Sequence, residues 1–132
     1  MRFARWFLLP SIVVLSALSW ASGHSEPKTP QTFTGEIMDT ICAAYKGHAR
    51  MMREMKSMGS DKPSCIQKCL QLGGKYALYN AADGTVYTIA NPEKARAFGG
   101  QEVQIIGTLD KKKLTISEIK TLDSGMVTPG SH

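Results

Sequence analysis

Residues 75–100 of this chain read KYALYNAADGTVYTIANPEKARAFGG: strand, turn, strand, then a short helix closed by paired glycines. Lys75 to Asn80 and Thr85 to Ala90 are rich in tyrosine and β-branched residues. Asp83-Gly84 between them is a tight-turn pair, so the segment predicts a β-hairpin. Asn91 then caps a short helix with Pro92 at its first position, ending near Phe98 before Gly99-Gly100.

Working outward, Gln101 to Leu109 and Leu114 to Ile119 predict two more strands, joined through Asp110 and Lys111 to Lys113. The three lysines there keep the hairpin soluble. On the other side, Thr32 to Thr40 (TFTGEIMDT) alternates with Phe33 and Ile37 on one face, and Gly35 permits a bend or bulge. Five short strands with a helix between the third and fourth follow the order of an OB-fold barrel, and closure removes the exposed edges of such strands. The expected fold is therefore mostly β with short helices, a five-stranded OB-like barrel with a helical insertion, residues 41–74, between strands one and two.

The insertion breaks the two-residue rhythm. Ala43 to Met58 is rich in helix formers, and His48, Met51, Met52, Met55 and Met58 recur at spacings of three and four along one helical side. Gly59 to Pro63 reads as a turn. Ser64 caps a second helix from about Cys65 to Leu72, stopped by Gly73-Gly74, on which Cys65 and Cys69 share a face one turn apart. Glu36 and Asp39 read as solvated residues of the first strand.

At 132 residues the chain has room for one small domain. Arg2 and Arg5 precede an apolar run, Trp6 to Trp20, which reads as a secretory signal peptide over residues 1–23 and is too short and too interrupted for a membrane span. Cleavage after Ala21 and cleavage after Gly23 both satisfy the small-residue rule. Residues 24–32 read as a flexible tether, 33–122 as the domain and 123–132 as a disordered tail. Without the leader, 14 basic residues face 11 acidic ones, a net charge of +3 that gives no reason to expect nucleic acid. The expected location is periplasmic or extracellular, with no stable membrane span once the leader is removed.

With these elements placed, the chain resembles a group of small exported bacterial proteins of uncharacterised function that have an OB-like domain and a Cys/His-containing helical insertion. The resemblance lies in Gly35-Glu36-Ile37-Met38-Asp39 with Cys42 and His48, in Cys65-Ile66-Gln67-Lys68-Cys69 leading into Gly73-Gly74-Lys75-Tyr76-Ala77-Leu78, and in Gly107-Thr108-Leu109-Asp110. It covers about Phe33 to Ile119 and implies the fold rather than an activity.

The insertion holds all three cysteines of the chain. Cys42, Cys65 and Cys69 with His48 form a possible tetrahedral donor set for zinc, although only Cys65-x3-Cys69 approaches knuckle spacing. Met51, Met52 and Met55 add thioethers, and soft donors that survive an oxidising compartment suit monovalent copper; packing is the simpler role for the same methionines. Export also favours a disulfide from Cys42 to Cys65 or Cys69, closing a loop of roughly 25 residues and stabilising by on the order of 3 kcal/mol. A direct bridge between Cys65 and Cys69 is disfavoured by their helical geometry.

No C-x-x-C, haem-attachment, phosphate-loop or nucleophile-elbow motif is present, so no catalytic residue is assigned and a binding domain is expected over an enzyme. Tyr76, Tyr79 and Tyr87 fall on strands two and three, but Tyr76 and Tyr79 point to opposite faces and make no continuous stacking platform. The expected function is a small exported domain that binds copper or zinc through a disulfide-clamped Cys/His/Met insertion. The competing readings are a structural or protein-interaction module without metal, and a thiol redox protein.

Overall fold

The computed structural model describes residues 28–122; the leader over 1–23, residues 24–27 of the expected tether and the tail over 123–132 lie outside the described residues, and Gln31 and Thr32, expected in the tether, already belong to the first strand. Five strands, β1 (Gln31–Asp39), β2 (Tyr76–Asn80), β3 (Thr85–Ile89), β4 (Glu102–Asp110) and β5 (Lys113–Thr121), form one mixed sheet. In the order β1-β2-β3-β5-β4 the sheet closes on itself through β1 and β4. Every pairing is antiparallel except β3 with β5, where Ile89 lies beside Leu114. Three short helices, α1 (Thr40–Ala44), α2 (His48–Glu54) and α3 (Lys62–Gln71), stand between β1 and β2, as expected of the insertion.

β1 separates two apolar clusters because successive side chains of a strand point to opposite faces. Phe33 and Ile37 face the inner core with Leu78, Ile89, Val103, Ile105, Leu114 and Ile116. Met38 points the other way, into a second cluster with Cys42, Ala43, Met51, Met58, Cys65 and Cys69. Tyr79 and Val86, in register with Glu36 across β2 and β3, extend the floor of that cluster. The insertion thus covers the outer face of β1-β2-β3.

Several local expectations are corrected. The stretch over Ala43 to Met58 is not one helix: Lys46 and Gly47 adopt positive φ (61° and 116°) and separate α1 from α2, and Lys56–Met58 is a single 3-10 turn. The supposed methionine side is therefore broken. α3 starts earlier than expected because Asp61, not Ser64, caps it, accepting from the Ser64 amide at 2.9 Å, with Pro63 in the first turn. Pro92 to Phe98 forms two 3-10 turns, Pro92–Lys94 and Arg96–Phe98. Asn91 caps neither; its side chain accepts from the Ile116 amide and donates to the Ile116 carbonyl, both at 2.9 Å, mimicking a strand partner for β5.

Gly35 serves a close approach. A Cβ there would stand 2.4 Å from the Tyr79 carbonyl oxygen, so only glycine lets β1 and β2 meet at this point.

Candidate metal centre

Cys42 sits in α1, and its place is set by Asp39. The Oδ1 of Asp39 accepts from the Ile41 and Cys42 amides at 2.9 and 2.8 Å, the N-cap bond that starts the helix. α3 crosses α1 and presents Cys65 and Cys69 together. Their sulfurs lie 3.3 and 3.5 Å from Cys42 Sγ, and all three residues are fully buried. Zinc–thiolate bonds of about 2.3 Å in a tetrahedron place neighbouring sulfurs about 3.8 Å apart, whereas a disulfide requires about 2.05 Å. The observed separations are too long for a disulfide, and all three cysteines are free.

His48 opens α2 and points back under the insertion, 2 % exposed, rather than occupying the surface or capping position that a lone histidine usually takes. Its Nδ1 is 2.6 Å from Glu36 Oε1, and the other Glu36 oxygen accepts from Lys62 Nζ at 2.8 Å. Burial works against the Glu36 carboxylate, but the hydrogen bonds and charges of His48 and Lys62 outweigh it and hold the group below its ordinary pKa. With Nδ1 engaged by Glu36, Nε2 is the ring atom left to act as a ligand. That Nε2 is 3.9 Å from Asp39 Oδ2, beyond hydrogen-bond reach. Neither atom finds a hydrogen-bond partner among the described residues, although both are buried.

The donors fall into two overlapping triads, Cys42 with Cys65 and Cys69, and Cys42 with Asp39 and His48, each with its ligand atoms within 4.8 Å of one another. Burial, with Asp39 beside it, pushes the Cys42 thiol far up; burial pushes Cys69 up to about 12. These thiols are inert until something replaces their protons.

Of the other expected ligands, Met51 is buried in the sulfur cluster, Met52 is half-buried against it, and Met55 is 41 % exposed. Met58, expected only as part of the stripe, is buried beside Met51. Glu36 and Asp39, expected as solvated strand residues, are instead part of the site.

The tyrosines do not share a surface. Tyr76 is in the inner core, Tyr79 packs toward the sulfur cluster, and Tyr87 meets the Phe33 ring edge-on at 5.3 Å. No helix among the described residues is long and apolar enough to cross a membrane. No protein-family model, curated protein or solved structure matches the chain.

Proposed function

We propose that this protein is an exported OB-like domain whose helical insertion holds a soft metal ion, zinc or monovalent copper, on the thiolates of Cys42, Cys65 and Cys69, with His48 as the adjoining imidazole. The ring order β1-β2-β3-β5-β4 and the 3-10 turns between β3 and β4 support the OB-like reading. The observation that carries the metal is the convergence of three fully buried free sulfurs next to a buried imidazole nitrogen without a partner. Leaving such a polar atom unsatisfied costs about 1–3 kcal/mol, which a bound cation offsets. Glu36 then acts as the outer carboxylate that orients the imidazole.

The ion would fix α1 and α3 against each other and against β1, closing a small domain whose insertion has little helix length of its own. Thioether packing by Met51 and Met58 would keep water away from the sulfurs. The test is titration of the reduced, metal-free protein with Zn(II) and Cu(I) under anaerobic conditions. Tight binding that is lost in Cys42→Ser and weakened in Cys65→Ser and Cys69→Ser is expected; equal weak binding in all four proteins overturns the reading.

A second reading is favoured by the proximity of Cys42 to both partners. In an oxidising compartment Cys42 could instead bridge to Cys65 or Cys69, the expected staple, leaving one thiol. Thiol counting under denaturing, metal-chelating conditions separates the two: three thiols for the metal centre, one for the staple.

A further inference from the structure

We propose that the centre takes two divalent ions rather than one, the second held by Asp39 Oδ2 and His48 Nε2 and joined to the first through a bridging Cys42 thiolate. The inference rests on the three-thiolate reading and extends it to a site of different chemistry, reassigning His48 from the imidazole adjoining the first ion to a ligand of the second. Cys42 Sγ is the sole atom common to both donor triads, and a shared thiolate is the simplest way to satisfy both. The second triad is a sulfur, an imidazole nitrogen and a carboxylate oxygen, a mixed set that suits zinc-class divalent ions over monovalent copper. Its nitrogen and oxygen are the two buried side-chain N/O atoms without hydrogen-bond partners among the described residues, and they face each other at 3.9 Å. Metal pairs that share a ligand lie about 3.5–4 Å apart, a spacing compatible with triads whose own edges are within 4.8 Å.

A second ion would also give both buried, unpartnered atoms a ligand bond. Asp39 also explains its own burial this way. Oδ1 alone suffices to cap α1, so the second oxygen, with no protein partner, is available as a ligand.

The experiment is zinc titration of the full exported chain, reduced and metal-free, read by native mass spectrometry. Wild type is expected to bind two ions. The double variant Asp39→Asn, His48→Gln keeps the cap oxygen and an amide donor for Glu36, and is expected to bind one. Cys42→Ser is expected to lose both together. A single ion in wild type, unaffected by the double variant but lost in Cys42→Ser, overturns the second site and leaves the three-thiolate reading standing. Absence of any cysteine-dependent ion overturns both. Cobalt(II) loading of the wild type needs no variant to fold: a paramagnetic signal that rises to one equivalent and falls toward two marks thiolate-bridged, coupled ions, while a signal that saturates at one equivalent overturns the pair.

Discussion

Asp39 has two carboxylate oxygens with different tasks, one capping α1 and the other aimed at His48 without a partner. Glu36 is tied to the same histidine from the opposite ring nitrogen. Replacing Glu36 by Gln should lower metal affinity about 10–100-fold, the usual cost of losing an outer partner of a metal-bound imidazole, measured by competition with a chelator. The same change bears on acid stability. The Glu36 pKa is lowered in the folded protein, so its contribution is present above the ordinary carboxylate value near 4.5 and is lost as pH falls through the lower folded value. Melting of the metal-free protein from pH 6 to pH 3 should show a steeper loss below about pH 4.5 in wild type than in Glu36→Gln; superimposable profiles would contradict the pairing. Metal binding runs in the same direction, since it too releases protons. Burial holds the Cys42 and Cys69 thiols protonated, so an ion bound on both as thiolates displaces at least two protons and its affinity should fall roughly a hundredfold per pH unit toward acid.

At the scale of elements, the positive-φ pair Lys46 and Gly47 turns the chain so that α2 delivers His48 inward instead of extending α1. This is why helical spacing over 43–58 misleads: it places His48, Met51, Met52, Met55 and Met58 on one side, whereas the break buries His48, Met51 and Met58 and leaves Met55 in solvent. Cys65 and Cys69 are legible without structure, because their i, i+4 spacing survives on α3. The meeting of Cys42 with them is legible only as an expectation, since it depends on how α1 and α3 cross. Met51→Leu should cost less than about 1.5 kcal/mol and leave zinc affinity unchanged, because volume-conserving swaps are tolerated in a packed cluster. A large loss of affinity in that variant, measured by the same competition, would make Met51 a ligand. Gly35→Ala acts differently: the new methyl meets the Tyr79 carbonyl, and the resulting shift of β1 against β2 should destabilise the fold by about 1–3 kcal/mol in denaturant melts.

For the whole molecule, the succession of five strands and the insertion after the first are readable from sequence because turn residues punctuate them: Asp83-Gly84, Pro92 and the paired glycines. The roles of Glu36 and Asp39 are not, because polar residues on a strand read as solvent-facing until the insertion is seen to cover that face. The domain has two apolar clusters divided by β1, and the smaller one is built largely of sulfur. An ion bound only by the folded state at a hundredfold excess over its dissociation constant should stabilise the protein by about 2.7 kcal/mol, a rise of on the order of 10 °C in melting temperature that a chelator reverses. The most direct measurement is X-ray absorption at the zinc or copper edge on loaded, reduced protein. A nearest shell dominated by sulfur at about 2.3 Å is the predicted result, and a shell of oxygen and nitrogen alone would contradict a thiolate-bound ion.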